Sequence, residues 1–440
     1  MSNFESSSIG APVIPTSLAS CGVPAVVLED LVLKHLHPRG SATVELLARG
    51  TRLPIGVMRE IVTSLQSQQS VSYASGLGQE LPPGVADDEK ITLTSTGRAR
   101  ACEAFAVSRY LGPAPVSWTD YTEQCRKQQL DGSGISQEEL SSALTGVTLD
   151  EATLSDLQLA LSTGGSLLLS GHSGNGKTLL ASRLGLLIEQ SSEAVYVPYA
   201  IWVDEGFLRV FEPTIHRPLD EILPLDSHDW RPTTDTRWRR VRRPVITAST
   251  ELTRESFEVR SSGPGGTLVA PIQVLANGGM LIVDDLGRQP GSFVELMNRW
   301  LQPLEQQTDT LVLPSGRRLI LPVDSWLVFI VGEDAPALPA PVARRVRCRV
   351  HLSAPDRDRF ATLLFEEGRR NRIEVDESAV EELFTKCYSP QNPPKCSDPQ
   401  NLLQAVESIC RIQKETVRAR ADLLLVAAKR LGLDGERHAA

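Results

Sequence analysis

Several features that would assign this chain to a particular class of protein are missing from its sequence. No apolar run is long enough to span a membrane, and the N-terminus lacks the basic-then-apolar layout of a signal peptide. The seven cysteines are scattered, odd in number and never spaced C-x-x-C, which gives no zinc pattern and fits reduced thiols. We therefore expect a cytoplasmic protein without a membrane span.

Positive charge is also in short supply. The 440 residues include 45 Lys and Arg against 54 Asp and Glu, for a formal net charge of −9. Such a chain is poorly suited to coating nucleic acid or anionic membrane non-specifically, although a local basic patch stays open. The apolar share of 41% and the charged share of 22% are ordinary for a globular protein, and the length allows two or three domains.

The most specific feature that is present is a glycine-rich motif. Residues 171–178 read G-H-S-G-N-G-K-T, the phosphate-loop pattern G-x-x-x-x-G-K-[ST]. Backbone N–H groups of such a loop surround phosphates, its lysine reaches the β and γ oxygens, and its final hydroxyl binds Mg²⁺. Segment 166–170 predicts a buried strand before the loop, and 178–188 predicts a helix whose positive end faces the phosphates. The predicted nucleotide-binding residues are Gly171, His172, Ser173, Gly174, Asn175, Gly176, Lys177 and Thr178.

A second motif lies further along the chain. Segment 278–285 is an apolar strand that ends in Asp284 and Asp285. In nucleotide hydrolysis, the first carboxylate of such a pair holds Mg²⁺ beside Thr178, and the second orients and deprotonates the attacking water. A solvated strand end is the alternative for the pattern alone. Because a complete phosphate loop precedes it, we assign Asp284 to the metal and Asp285 to the catalytic base.

The residues before the phosphate loop predict a small separate domain. Three predicted helices are followed by two short strands, 71–73 and 91–93, which flank a polar loop. This order resembles a winged helix-turn-helix domain, whose third helix reads DNA in DNA-binding members. Residues 26–106 contain eight basic and nine acidic residues, and the third helix carries only Arg59 and Glu60. Because phosphate contacts dominate affinity for DNA, a protein-docking role is favoured over DNA binding.

The whole chain is thereby divided into four predicted segments. Residues 1–25, rich in Ser and Pro, predict a flexible tail, and 26–110 form the winged-helix-like domain. In 111–355 apolar strands alternate with helices, which predicts an α/β domain with a parallel sheet. Residues 356–440 predict a helical lid domain.

The two nucleotide motifs together resemble a known family. Segment 276–288, A-N-G-G-M-L-I-V-D-D-L-G-R, resembles the second nucleotide motif of AAA+ ATPases. It is most similar to the branch of MoxR-type ATPases, magnesium chelatase and enhancer-binding activators. Two alternating strands around residues 314–316 are similar to the hairpin that this branch inserts before its fourth core strand. The resemblance covers about residues 140–430 and implies a P-loop AAA+ sheet with a helical lid, ATP and Mg²⁺ as cofactors, and ATP hydrolysis.

The same resemblance implies roles for residues outside the two motifs. Arg345, or alternatively Arg344, falls at the arginine-finger position, which implies action in a neighbouring subunit's site and a ring, expected as a hexamer. A pair of solvated helix-end arginines is the alternative. Glu333, with Asp334, stands where the first sensor is usually Asn, and Gln400 stands where the second sensor is usually Arg. Because a neutral Gln supplies no charge to the γ-phosphate, slow turnover stays open.

Two segments between the motifs allow alternative interpretations. The basic run 237–243 could bind a nucleic-acid backbone and stack a base on Trp238. Pairing of the run with an acidic stretch is favoured in this acidic chain. The acidic residues are Asp220, Glu221, Asp226 and Asp229. Segments 195–203 and 207–211 predict an inserted strand and hairpin, or alternatively the second core strand with an edge hairpin.

The function favoured by these observations is a ring-forming ATPase that remodels or regulates an unidentified protein client. A DNA-associated ATPase that uses the winged helix and the basic run is the alternative, so nucleic acid stays possible as a partner without being favoured. A scaffold that binds ATP and hydrolyses little of it is the second alternative.

Overall fold

The structure, a computed structural model, describes residues 10–74, 89–130, 134–145, 147, 149–191, 193–204, 206–219, 234–263 and 265–433. In these ranges no helix is both long and apolar enough to cross a membrane. All seven cysteines are free thiols.

The N-terminal unit combines a helical cluster with a small antiparallel sheet. Its elements are α1 (Ala25–Leu36), β1 (Ser41–Ala42), α2 (Val44–Thr51), α3 (Ile55–Ser67), β2 (Val71–Tyr73), β3 (Ile91–Leu93) and α4 (Ser95–Val107). The strands lie in the order β1-β3-β2. Thr43 and Thr94 accept hydrogen bonds from backbone N–H groups in the first turns of α2 and α4, which fixes where these helices begin. Most of the polar loop predicted between β2 and β3 lies outside the described residues.

Residues 10–24 are ordered against the rest of the chain. The carbonyl of Pro12 accepts a hydrogen bond from Asp235 N (3.0 Å), and the carbonyl of Cys21 accepts one from Arg237 Nη1 (2.9 Å). The Cys21 side chain is fully buried. Within the predicted tail of residues 1–25, these two carbonyls therefore serve as acceptors for distant donors. The first nine residues lie outside the described ranges.

A five-stranded parallel sheet forms the centre of the molecule. The elements that lead into it are β4 (Val116–Ser117), α5 (Trp118–Lys127), α6 (Gln137–Ala143), α7 (Glu151–Thr163), β5 (Ser166–Ser170) and α8 (Lys177–Ser191). A segment inserted after α8 contains β6 (Val195–Pro198), β7 (Ala200–Trp202), β8 (Phe207–Arg209) and β9 (Trp238–Val241). The core continues with β10 (Val245–Ala248), β11 (Arg260–Ser261), β12 (Leu268–Val269), α9 (Ile272–Leu275) and β13 (Met280–Val283). It ends with α10 (Phe293–Asn298), α11 (Leu301–Gln306), β14 (Thr308–Val312), β15 (Arg318–Pro322), β16 (Trp326–Ile330), α12 (Ala340–Ala343) and β17 (Cys348–His351).

The central strands lie in the order β10-β13-β16-β5-β17, and all neighbours are parallel. All residues of β13 and β16 are buried, as expected for strands covered on both faces. The predicted α/β class with a parallel sheet is thereby confirmed. The carboxyl ends of β5, β13 and β16 meet at one edge, so the segments that follow these strands come together there.

The inserted segment builds separate sheets beside the core. Strand β6 pairs antiparallel with β9, and a five-stranded sheet runs in the order β11-β12-β8-β7-β4. The second core strand is β10, so the structure agrees with the inserted interpretation of 195–211. Strands β14 and β15 form the predicted antiparallel hairpin, with Thr308 opposite Pro322.

The C-terminal unit is helical apart from one pair of short strands. It contains α13 (Arg357–Asn371), β18 (Glu374–Val375), α14 (Glu377–Cys387), α15 (Asp398–Gln413), β19 (Arg418–Ala419) and α16 (Ala421–Leu431). Asp356 caps α13 by accepting a hydrogen bond from Arg359 N (2.8 Å). The parallel pair β18–β19 was not part of the helical prediction.

Candidate functional site

The phosphate loop follows β5 directly and turns into α8. Gly171 has φ 133° and Gly174 has φ 88°, a region that residues with a side chain rarely adopt. A Cβ on Gly171 would lie 2.3 Å from the carbonyl oxygen of Leu352, so the loop passes too close to the end of β17 for any larger residue. Asn175 Nδ2 donates to the same carbonyl (3.1 Å) and anchors the loop there.

Lys177 is held inside the loop by the loop's own backbone. Its Nζ donates to the carbonyls of Gly171 (2.6 Å) and His172 (2.8 Å). Burial lowers the pKa of Lys177, and the nearby carboxylates, Asp284 first among them, oppose that shift. The ammonium is therefore a fixed, largely desolvated positive charge at the N-terminus of α8.

The structure joins the two sequence motifs through one hydrogen bond. Thr178 Oγ1 donates to Asp284 Oδ2 at 2.8 Å. The other oxygen of Asp284 accepts a hydrogen bond from Asp285 N (2.8 Å), and the side chain is only 9% exposed. A hydroxyl and a carboxylate held together in this way supply the oxygen ligands that Mg²⁺ prefers. The residues present therefore fit a magnesium nucleotide.

Asp285 differs from its neighbour in backbone and environment. It has φ 49°, in the left-handed region that Asp tolerates better than most residues. Its side chain is half-exposed and lies 3.8 Å from Arg288 Nη1. Arg288 also binds Asp334 (2.9 Å), and this hydrogen bond lowers the pKa of Asp334. The sequence analysis did not include Arg288 among the site residues, although a spacing of three residues allows an ion pair with Asp285.

The loop and the strand ends enclose a cavity of about 290 Å³. Its lining residues come from the phosphate loop, the end of β13, the segment after β16 and the segment before α15. They are Ser173, Gly174, Gly176, Lys177, Thr178, Leu179, Asp284, Asp285, Leu286, Arg288, Ile330, Gly332, Asp334, Ala335 and Ser397. Five of the eight predicted loop residues thus share one cleft with Asp284 and Asp285, whereas Gly171, His172 and Asn175 do not line it.

Glu333 and Gln400, the two candidate sensor residues, also lie apart from this lining. Glu333 pairs with His172, at 2.8 Å between Oε2 and Nε2. Of the two adjacent acidic residues Glu333 and Asp334, only Asp334 lines the cleft. Gln400 is exposed in the first turn of α15. The residue of the segment before α15 that lines the cleft is Ser397, whose N–H donates to the carbonyl of Gly174 (3.0 Å). No sequence signal distinguished Ser397 from its neighbours.

The two candidate finger arginines follow α12. Arg345 pairs with Glu305 of the same chain (2.9 Å) and donates from Nη1 to the carbonyl of Pro341 (2.8 Å). Arg344 is exposed, and within the described ranges its side chain makes no hydrogen bond or ion pair. The structure therefore leaves Arg344 available to another molecule.

The basic run 237–243 is largely internal. Trp238 is 6% exposed, which disagrees with the less favoured interpretation, in which a base stacks on it. Arg237 is buried against Asp235 (2.8 Å) and also donates to the carbonyl of Pro115 (3.1 Å). The predicted acidic partners, Asp220, Glu221, Asp226 and Asp229, lie outside the described residues.

The last arginine of the run is buried among carbonyls. Arg243 Nη1 donates to the carbonyl oxygens of Gln128 (2.9 Å) and Gly278 (2.5 Å). Burial lowers the pKa of Arg243 to about 10. This arginine joins α5 to the turn before β13 and is not available to a phosphate backbone.

Comparisons with known proteins give little further guidance. Residues 356–430 match a family described as a domain of unknown function (DUF8689). No curated protein matches the chain. A mutant of RuvB from Thermotoga maritima is similar in structure at 13% identity and a TM-score of 0.37, over 69% of this chain and 72% of that one. NtrX from Brucella abortus is similar at 17% identity and a TM-score of 0.38, over 65% and 56%. These TM-scores are too low to support an argument about fold or function.

Proposed function

We propose that the chain is an AAA+ ATPase that binds ATP–Mg²⁺, hydrolyses it and acts as a ring on a protein partner. The observation that carries the proposal is the hydrogen bond between Thr178 and Asp284 beside the buried Lys177. This bond joins the phosphate loop to the strand that ends in Asp284 and Asp285, at the carboxyl edge of a parallel sheet.

Each residue of the cleft has a task in this proposal. Lys177 and the loop N–H groups bind the β- and γ-phosphates. Thr178 and Asp284 hold Mg²⁺, which neutralises charge on the phosphate oxygens when bound. Asp285, exposed toward the cleft, orients a water and accepts its proton, while Arg288 fixes the carboxylates on either side of it.

A ring follows from the expected action of an arginine across a subunit interface. The exposed guanidinium of Arg344 supports this part of the proposal, since no described residue of its own chain engages it. A hexamer is the expected size.

The N-terminal unit is proposed as a winged-helix module that docks a protein. Its order of helices and strands supports the winged-helix assignment. On α3, Glu60 accepts a hydrogen bond from Leu18 N (2.8 Å), so the N-terminal arm lies against the helix that would read DNA. The near-neutral charge and this arm favour a protein over DNA.

The proposal is tested by nucleotide binding and turnover. We expect calorimetry to show ATP binding to the full chain in the presence of Mg²⁺ and its loss in Lys177→Ala, because the variant lacks the fixed charge inside the loop. Lys386→Ala, which removes an exposed lid lysine paired with Glu382, is the matched control. Unchanged affinity in Lys177→Ala would refute the site, and binding without turnover in the wild type would favour the scaffold.

A further inference from the structure

The lid touches the phosphate loop through the short segment that precedes α15. Ser397 N donates to the carbonyl of Gly174, as described above. The segment is held in shape by Asp398, whose Oδ2 accepts hydrogen bonds from Lys395 N (2.9 Å) and from the Tyr388 hydroxyl (2.9 Å). The contact therefore joins a rigid part of the lid to the centre of the loop.

Lys395 lies across the same glycine. A Cβ built on Gly174 would be 3.3 Å from both Cβ and Cδ of Lys395, so the stem of the lysine covers the loop backbone. The residue is exposed, and among the described residues its ammonium makes no hydrogen bond or close ion pair, although it is attracted to the carboxylate of Asp398. A lysine carries its charge on a flexible four-carbon stem, so the ammonium can turn toward an anion seated on the loop.

The charges of the cleft leave room for another cation. The charged residues of its lining are two cations, Lys177 and Arg288, and three carboxylates, Asp284, Asp285 and Asp334. Arg288 is already engaged by Asp285 and Asp334. A nucleoside triphosphate stays anionic with one divalent cation bound, and Lys177 is the one charged lining side chain left, beside the neutral N–H groups of the loop, to offset that charge.

We propose that Lys395 supplies the missing cation, binding the terminal phosphates of a nucleoside triphosphate from the lid side. This inference rests on the proposed function and deepens it, because it names the residue that distinguishes triphosphate from diphosphate. The lid then closes on the loop more tightly when the γ-phosphate is present.

The test measures ATP and ADP dissociation constants of the full chain by calorimetry. Lys395→Met keeps the apolar stem over Gly174 and removes the charge, and Lys395→Arg keeps the charge. We expect Lys395→Met to weaken ATP binding about tenfold, as for a lost charge-assisted hydrogen bond, and ADP binding by much less. Lys395→Arg should bind ATP nearly as well as the wild type, and Lys386→Ala should be unchanged.

Two results would overturn this inference and leave the proposed function in place. One is equal ATP affinity in Lys395→Met and the wild type. The other is an equal loss for ATP and ADP, which would mean that Lys395 does not sense the terminal phosphate. A wild type that binds no nucleotide would instead refute the proposed function itself. Thermal unfolding of each variant shows whether the lid is intact.

Discussion

Asp284 and Asp285 are adjacent in sequence but differ in burial, in hydrogen bonding and in backbone conformation. Asp284 is buried and receives hydrogen bonds from Thr178 and from the backbone N–H of Asp285. Asp285 is half-exposed, in a left-handed backbone conformation, and faces Arg288. A buried oxygen beside a hydroxyl suits a metal ion, whereas an exposed carboxylate at the cleft suits water.

We therefore expect the two Asn variants to separate binding from chemistry. Asp285→Asn should bind ATP–Mg²⁺ with nearly native affinity and hydrolyse it about 10²–10⁴-fold more slowly, the range for loss of a general base. Asp284→Asn should lose the Mg²⁺-dependent part of the affinity. Titrations with Mg²⁺ and with EDTA, combined with phosphate release, measure both effects. Identical behaviour of the two variants would contradict the division of roles.

At the scale of single elements, α1 is tied to its neighbours by a buried lysine. Lys34 is 1% exposed, donates to the carbonyl of Ser108 (3.1 Å), and lies 4.9 Å from the ring centroid of Phe207 in β8. Burial lowers the pKa of Lys34 to about 8, from an ordinary value of 10.5. The lysine therefore joins the N-terminal unit to the inserted sheet.

This lowered pKa sets the direction of a pH effect on stability. Between about pH 8 and 10.5 the unfolded chain binds the Lys34 proton and the folded chain does not, so folding gains stability as pH rises through that window. Below pH 8 the cost of burying the charge is constant. Lys34→Met should remove the slope, so chemical unfolding of the wild type relative to the variant should show rising stability from pH 8 to 10. A parallel pH dependence in both proteins would contradict this.

The elements differ in how far the sequence predicts them. The phosphate loop, the strand that ends in Asp284 and the hairpin β14–β15 are encoded by adjacent residues, so local pattern suffices for them. Ser397 and Arg237 depend on contacts with residues far away in sequence, Gly174 for the first and Cys21 and Pro115 for the second. Basic side chains are usually solvent-exposed, and the acceptors that bury Arg237 and Arg243 are distant in sequence. The sequence therefore contains no indication that Trp238, which lies between them, is buried.

At the scale of the whole molecule, the N-terminal unit and the α/β core share packing. Tyr110 stacks on Phe207 with ring centroids 4.7 Å apart, and Arg109 N donates to the carbonyl of Gly265 (2.7 Å). Arg237 bonds the arm at Cys21 and the linker at Pro115. The two units are therefore held by several independent contacts.

Removal of Arg237 should test how much these contacts contribute. Arg237→Ala leaves Asp235 buried without its partner, so we expect a loss of about 3–5 kcal/mol in the free energy of unfolding. Arg240→Ala, at an exposed position in the adjacent strand β9, should change it by less than about 0.5 kcal/mol. Denaturant unfolding measures both. If both variants changed the free energy of unfolding by a similar small amount, the buried pair of Arg237 and Asp235 would not contribute to stability.

The ring itself is tested by mixing variants. Arg344→Ala should preserve ATP binding and lower turnover by about 10³-fold, the scale of an arginine that acts in trans. Arg345→Ala should have a smaller effect, because Arg345 is engaged by Glu305. A mixture of Arg344→Ala with Asp285→Asn should regain activity that neither protein has alone. If mixed assemblies stay inactive, Arg344 does not act in trans, and if sedimentation with ATP–Mg²⁺ shows only monomer, the ring is refuted.

The short strand β4 gives the molecule a mechanical property. Val116 and Ser117 pair in parallel with Ile201 and Trp202, so the connection between the N-terminal unit and the core is itself a strand of the inserted sheet. A load applied to the N-terminal unit would thus fall on the backbone pairing of β4 with β7, two residues on each strand.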